Sequence, residues 1–437
     1  MKDSGIKWIG KIPKEWEINK IKYEYRIQTG FTPDTSNDEY YTDENGYTWI
    51  SIADMSNVDN NGEIDESSIM ISEKYINEKH PQIVKKGSLL YSFKLSVGKV
   101  AFAKKDLYTN EAIASFNSDN YLRYLYYAAF LIEENANINI YGAKILNQDL
   151  IKNSITIIPD KKEQKLIASF LDGKVKKINE IIKDLNSQVN ILKKYKKLLI
   201  TETVTRGLNP NAELKDSSVD WIEVIPKNWI ENKIKYIAKV NGRVGFKGYS
   251  KDDLVGPDEG AYTIGGKHIS TNKLNLDEPE YISWEKYYES PEIMIHKNDI
   301  IMAQRGTLGK VVIIEEDIGE ATINPSLVLL NKIVINNKFL YWIINSDVIR
   351  KNIDVVNTST AVPMISQTQI GNFKICIPPR EEQDEIVKYL DKKCDEIDNI
   401  IVDKHTQIEK MEKYKKSLIY EYVTGKKRVK GAEELYG

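Results

Sequence analysis

Asp3-Ser4-Gly5-Ile6-Lys7-Trp8-Ile9-Gly10-Lys11-Ile12-Pro13-Lys14-Glu15-Trp16 stands near the N-terminus. Asp216-Ser217-Ser218-Val219-Asp220-Trp221-Ile222-Glu223-Val224-Ile225-Pro226-Lys227-Asn228-Trp229 stands in the middle of the chain. Both stretches carry Trp-Ile-x-x-Ile-Pro-x-x-Trp, and both run on into the same pentapeptide, Asn-Lys-Ile-Lys-Tyr, at Asn19–Tyr23 and Asn232–Tyr236. A repeat this long, with two aligned tryptophans, marks a duplicated domain, and its period of about half the chain rules out a solenoid.

The ends of the halves match as well. Ile158-Pro159-Asp160-Lys161-Lys162-Glu163-Gln164 parallels Ile377-Pro378-Pro379-Arg380-Glu381-Glu382-Gln383. Leu171-Asp172 parallels Leu390-Asp391, and Lys194-Tyr195-Lys196-Lys197 parallels Lys413-Tyr414-Lys415-Lys416, all without a gap. Between these ends only patches align, such as Gly98-Lys99-Val100 with Gly309-Lys310-Val311. Shared ends around a divergent middle describe one frame carrying two payloads.

The C-terminal part of each half is helical and heptad-patterned. Leu171, Ile178, Leu185, Leu192 and Leu199 recur every seventh position, with Val175, Ile182 and Val189 as companions until Lys196 interrupts them. The second copy keeps Leu390, Ile397, Met411 and Leu418 with Cys394, Ile401 and Ile408, and departs at Lys404. Such a seam predicts a coiled coil. Each helix is expected to run about 40 residues, or roughly 60 Å at 1.5 Å rise per residue. Asp160 and Glu163 have capping-box spacing, and Pro379 suits a first helical turn. Two such helices in one chain are expected to pair with each other, antiparallel and related by a pseudo-twofold; an intermolecular coiled coil is the other reading.

The globular halves read as mixed α/β. Tyr47–Ile52 and Gly260–Ile264 look like half-buried strands bounded by turn residues, and Leu89–Phe93 and Ile300–Ala303 like buried ones. Each buried strand leads into a basic, Gly-containing loop, Lys94–Lys99 and Arg305–Lys310. Helical segments follow at 121–134 and 337–352, and polar loops at Tyr141–Lys144 and Thr358–Ala361. The expected fold class is thus α+β, with two mixed α/β domains in tandem separated by two long helices. The boundaries are 1–157 for the first domain, 158–207 for the first spacer helix, 216–376 for the second domain and 377–424 for the second helix.

Composition narrows the function classes. The 437 residues are 41% hydrophobic and 29% charged, with a formal net charge of −2, which does not advertise nucleic-acid binding as a basic domain would. The charge is uneven: from Asp160 to Arg206 twelve Lys and Arg stand against six Asp and Glu, so the globular halves are net acidic. Lys193–Lys197 and Lys413–Lys416 read equally well as a surface under DNA and as solvated helix faces. Cys376 and Cys394 are far apart in sequence, which argues against a disulfide framework or a zinc cluster and for a reducing cytoplasm. No run is apolar enough to span a bilayer, and the N-terminus has no apolar signal core.

Catalytic motifs are missing. Asn324-Pro325-Ser326 is not an amino-methyltransferase motif, and Gly265-Gly266-Lys267-His268 lacks the first glycine and the hydroxyl residue of a phosphate-binding loop. Pro159-Asp160…Glu163-Gln164-Lys165 mimics a nuclease pattern, but helix capping accounts for its two acids. His80, His268, His296 and His405 are dispersed, so no metal site is expected.

Taken together and in order, the Trp-Ile-x-x-Ile-Pro-x-x-Trp opening, the Gly-Lys-Val loop, the Ile-Pro-x-x-x-Glu-Gln helix start and their duplication resemble the specificity subunit of type I restriction-modification systems. The resemblance covers nearly the whole chain. It implies two target-recognition domains, each reading one half of a bipartite site in double-stranded DNA. It also implies paired helices that set the spacing and dock two methyltransferase subunits, with restriction subunits joining the assembly. The chain itself would be non-catalytic and without cofactor; S-adenosylmethionine and ATP with Mg would belong to the partners.

For DNA contact, Lys and Arg on phosphates and long polar side chains on base edges are required. The candidates are Lys94, Lys99, Arg305 and Lys310, with Lys144 and Thr360 from the polar loops; for each the alternative is an ordinary solvated loop residue. Arg305 has the fork that bridges guanine O6 and N7. Trp8, Trp16, Trp221 and Trp229 are expected to be packing anchors. The competing overall reading is a coiled-coil scaffold whose tandem domains bind proteins without DNA specificity.

Overall fold

The structure, a computed structural model, describes all residues except 60, 95, 119, 139–141, 143, 244–247, 271–272, 357–362 and 432–437. The chain forms two compact units, one of Met1–Leu185 with the segment from Thr406 onward, the other of Asn186–His405. Each unit therefore takes its globular domain together with a part of each long helix, Lys161–Arg206 and Arg380–Val423.

In the first unit the strand order of the main sheet is Arg26–Thr29, Ile113–Asn117, Leu89–Ser92, Val100–Ala103 and Glu63–Ile64. Leu89–Ser92 pairs antiparallel with both neighbours, Val100 opposite Tyr91 and Ala114 opposite Tyr91. All four of its residues are buried, as expected for a strand covered on both faces. A second sheet contains Tyr47–Ile50, which runs parallel to Tyr108–Thr109.

The second unit repeats the plan. Its main sheet runs Lys239–Gly242, Leu327–Asn331, Ile300–Ala303, Val311–Ile313, with Ile300–Ala303 central and wholly buried. Its second sheet contains Gly260–Ile264, parallel to Ala321–Ile323. The mixed sheets are as the sequence patterns indicate.

The long helices pair antiparallel inside each unit. In the first, Phe170 lies 4.5 Å from Tyr422 between ring centroids, and Lys415 Nζ donates to Asn179 Oδ1 at 3.0 Å. Leu171 and Ile178 share a core with Leu418 and Val423. In the second unit Leu199 shares a core with Leu390, Cys394 and Ile397. The heptad break at Lys196 is filled from the facing helix, where Asp398 Oδ2 stands 2.6 Å from Lys196 Nζ. Both cysteines are free and buried, and burial pushes each thiol up to about 12. Among the described residues no helix is long and apolar enough to cross a membrane.

The duplicated ends meet each other. Trp16 is fully buried, and its Nε1 donates to Glu163 Oε2 at 2.8 Å; Trp229, also fully buried, donates to Glu382 Oε2 at 3.1 Å. The strand that follows each buried tryptophan, Glu17–Lys20 and Ile230–Lys233, pairs antiparallel with the strand that precedes the long helix, Ile155–Ile158 and Lys374–Ile377. A domain is thereby closed onto the root of its own helix. Asp160 caps the first helix by accepting from Lys162 N at 2.8 Å. Glu163, three residues on, is buried and takes Trp16 and a bidentate bond from Arg428 at 2.8 and 3.0 Å. Trp8 and Trp221 are less buried than Trp16 and Trp229, at 43% and 55% exposed. Trp8 follows the strand Lys2–Asp3 and sets its ring against Phe130 and Tyr420, at 6.4 and 6.3 Å between centroids, and Trp221 follows Leu214–Asp216 with φ +71°.

Each helix ends on a left-handed glycine, Gly207 at φ +72° and Gly425 at φ +69°, the usual C-terminal stop. A Cβ on Gly425 would come within 2.3 Å of the Pro13 ring, and one on Gly207 within 2.6 Å of Glu382 Oε1, which would have to move aside.

Candidate nucleic-acid interface

The turn between Leu89–Ser92 and Val100–Ala103 holds Lys94 and Lys99. It is closed by Gly98 N to Ser92 O at 3.0 Å and Ser92 N to Lys99 O at 3.0 Å, with Gly98 at φ +96°. Phe93 is buried beneath it, and the exposed Lys94 places Nζ 5.8 Å from the Phe93 ring. Lys99 turns back instead. Its Nζ donates to Ser56 Oγ at 2.6 Å and to Ile52 O at 3.2 Å.

The receiving turn is itself rigid. Asp54 accepts from the amides and hydroxyls of Ser51 and Ser68 at 2.7 to 3.0 Å. Burial opposes its ionisation, but these bonds outweigh burial and hold the carboxyl below the usual range.

The second unit builds the same turn from different residues. Gly309, at φ +79°, donates to Ala303 O, and Ala303 N donates to Lys310 O at 2.8 Å. Lys310 Nζ donates to Ile269 O at 3.2 Å, the counterpart of Lys99 reaching Ile52. The receiving turn is fixed here by buried His268, whose Nδ1 accepts from Gly265 N at 2.8 Å while Nε2 faces Glu278 O at 2.9 Å; the amide on Nδ1 sets the Nε2–H tautomer.

Arg305 is exposed, and among the described residues no hydrogen bond or ion pair engages its guanidinium. Its backbone is held firmly: Arg305 N donates to Ser326 O at 3.2 Å, Gly306 N to Pro363 O at 3.0 Å and Ile365 N to Gln304 O at 2.9 Å, with Arg305 bridged to Met364. An exposed guanidinium thus stands on a backbone fixed by pairing on both sides.

The structure also joins loops that are distant in sequence. Lys144 Nζ lies 3.0 Å from Glu133 Oε1 and 3.8 Å from Glu134 Oε1, and the bond to Glu133 raises its pKa. Glu133 in turn covers Gly98, where an added Cβ would stand 2.8 Å from Oε2. The hairpin turn and Lys144 therefore face one carboxylate from two sides. In the second unit Arg350 Nη1 donates to Leu308 O at 2.9 Å, latching the turn to the helix Asp347–Val356. Thr360, with the Thr358–Ala361 loop, lies outside the described residues, as do Tyr141 and Ala143 of the first polar loop. Pro363–Ile365, the chain just after the Thr360 loop, pairs with the Arg305 turn.

A further set of residues seats each domain on its long helix and escapes a reading of the sequence. Asp172 accepts from Arg123 Nε at 2.8 Å and Tyr127 Oη at 2.5 Å. Asp391, its repeat, accepts from Lys338 Nζ at 3.1 Å and Trp342 Nε1 at 3.0 Å. Burial, then the bond to Asp172, raises the Tyr127 phenol well above its ordinary value, so it remains a donor. The signal lies in Arg123-Tyr124-Leu125-Tyr126-Tyr127 and Lys338-Phe339-Leu340-Tyr341-Trp342, which share a basic–aromatic–Leu–Tyr–aromatic order. Among the described residues no cluster of His, Cys, Asp and Glu is arranged to hold a metal ion.

Comparisons with known proteins bear on the family and the fold. The model of the type I restriction modification DNA specificity domain matches twice, at residues 13–190 and 226–410. The type I restriction enzyme MjaVIII specificity subunit of Methanocaldococcus jannaschii is 24% identical over 432 residues, covering 96% of this chain and 95% of the relative. The putative type I restriction enzyme MjaX specificity subunit of the same organism is 26% identical over 453 residues, covering 97% and 96%. Among solved structures, a chain from a study of complex assembly and conformational transition in the type I restriction-modification system has a TM-score of 0.67. It is 12% identical, with 94% of this chain and 98% of that chain covered, and it supports the fold. With both halves matched by one family model and the duplicated frame present in three dimensions, the chain belongs to the family of type I restriction-modification DNA specificity subunits.

Proposed function

We propose that this chain reads a bipartite site in double-stranded DNA, one half with each unit, and presents it to two methyltransferase subunits and to restriction subunits. The reaction chemistry is theirs, with S-adenosylmethionine and ATP with Mg as their cofactors; this chain supplies specificity and is at work in the cytoplasm. In the assembly it holds the duplex so that a methyltransferase can take its target adenine out of the stack.

The observation that carries the reading is one hairpin turn built twice with different exposed side chains. Gly98-Lys99 and Gly309-Lys310 repeat the frame, while exposed Lys94 in one unit stands at the turn position that exposed Arg305 takes in the other. A frame that repeats while its presented groups change suits two half-sites of unlike sequence. Lys99 and Lys310 act by holding the turns, and Lys144 by setting the charge beside the first of them.

Arg305 provides the test. Arg305→Ala in the chain co-expressed with its methyltransferase is expected to weaken binding of the target by about 1–3 kcal/mol, the worth of one bidentate pairing with a base. One position in one half of the methylated motif should become degenerate, while the other half is unchanged. An unaltered motif and affinity would remove Arg305 from the reading surface.

A further inference from the structure

The identical pentapeptide at Asn19–Tyr23 and Asn232–Tyr236 divides into residues that folding requires and residues that it does not. Ile21 and Ile234 are buried in the cores. Asn19 and Asn232 each accept from the next amide, Lys20 N and Lys233 N, at 2.9 Å. Among the described residues the side chains of Tyr23, Lys235 and Tyr236 make no hydrogen bond, and Lys22 makes one, on the surface, donating from Nζ to Asn153 Oδ1 at 3.1 Å, which the second unit does not repeat at Lys235. Tyr23 is 68% and Tyr236 65% exposed, with the neighbouring ammonium groups of Lys22 and Lys235 at 5.1 and 5.2 Å from the rings.

The match extends beyond the pentapeptide. Arg26 and Lys239 are both exposed and begin the edge strands of the main sheets. They occupy the same rung of the ladder, Arg26 opposite Asn117 and Lys239 opposite Asn331. The Glu24 carboxylate beside them is taken by Asn19 Nδ2 at 2.6 Å and Asn120 Nδ2 at 2.8 Å, and its place in the second unit is held by buried Ile237. Each unit therefore presents two cations and a phenol on matched positions, in a chain whose net charge is −2.

Two units that read different half-sites need different groups for bases. Groups that are the same in both units meet what both units share, which is the phosphate backbone of the duplex or the methyltransferase subunit that each is proposed to present it to. We propose that Lys22, Tyr23 and Arg26 in one unit, and Lys235, Tyr236 and Lys239 in the other, form matched phosphate-binding surfaces that hold duplex DNA without regard to its sequence. The cations neutralise phosphates and the phenols donate hydrogen bonds to their oxygens. A protein partner fits these surfaces less well, because lysine is depleted in the buried cores of protein interfaces. The inference rests on the DNA-reading function proposed above.

The test uses the full chain, alone and assembled with its methyltransferase subunits, carrying Lys22→Ala with Arg26→Ala or Lys235→Ala with Lys239→Ala. Binding is measured by fluorescence anisotropy over a range of salt. The probes are a short duplex of arbitrary sequence and the same duplex bearing the methylated motif of the host genome. Each double variant is expected to weaken both duplexes by the same factor. It should also lower the slope of log K against log salt by about 0.9 for each phosphate no longer neutralised. The two pairs should give similar changes, and the charge-keeping exchange of Lys22→Arg with Arg26→Lys should restore binding. Weakening confined to the motif-bearing duplex, with an unchanged slope, would overturn the proposal in favour of base reading. Unchanged DNA binding with release of the methyltransferase from the assembly would overturn it in favour of a protein-docking surface. Failure of the unsubstituted chain and assembly to bind either duplex would defeat the DNA-reading function itself, and would show before any substitution is made.

Discussion

Glu163→Ala is expected to destabilise the first unit by about 3–5 kcal/mol, the cost of breaking a buried ion pair from one side. The carboxylate is fully buried and accepts from the Trp16 indole and from both Nε and Nη2 of Arg428. Its removal leaves a buried N–H and deprives a guanidinium of a bidentate partner, besides opening a cavity at the root of the helix. In a unit of this size such a change lowers the melting temperature by roughly 10 °C. Glu382→Ala, at the repeated position, should cost less, about 1–2 kcal/mol. That carboxylate is half-exposed and is met by Trp229 at 3.1 Å and by Asn228 at 3.5 Å. Differential scanning calorimetry of the two variants should show unequal shifts, with the larger for Glu163; equal shifts would mean that the Arg428 pairing contributes nothing.

Trp342→Ala is expected to destabilise the second unit by about 3–5 kcal/mol, as for other buried aromatic residues cut to alanine. The ring is buried in the core of that unit, and its Nε1 donates to Asp391. Trp342→Phe separates the two contributions: most of the packing stays, the hydrogen bond goes, and the cost should fall to about 1 kcal/mol. Hydrogen exchange should speed up at Asn337–Ile344 in both variants, because that helix is seated on the long helix through Asp391. Exchange that quickens evenly over the whole unit in the phenylalanine variant would count against a local seat.

Much of this architecture is visible in the residues, and what is hidden is hidden for physical reasons. The duplicated frame and the long helices show plainly, because period and repetition survive in sequence. Lys196 looks like a flaw in its heptad only until Asp398 is placed across from it. The spacing of Glu163 from Asp160 is legible because capping is a local signal, whereas its bond to Trp16 joins residues 147 positions apart. The tie from Lys99 to Ile52 O, and its repeat from Lys310 to Ile269 O, cannot be read at all, since a main-chain carbonyl leaves no mark in the identity of its residue. The same holds for the approach of Pro363–Ile365 to the Arg305 turn, which is made by backbone pairing. Charge and glycine spacing mark the candidate loops, but which lysines face outward and which turn back is a matter of three-dimensional neighbours.

The most direct measurement is the methylome of the host, sequenced with detection of modified bases, with this gene intact and with it deleted while the methyltransferase is still expressed. The account predicts that one split, asymmetric, adenine-methylated motif disappears on deletion and returns on complementation. A methylation pattern that is the same in both strains would contradict the claim that this chain directs DNA recognition.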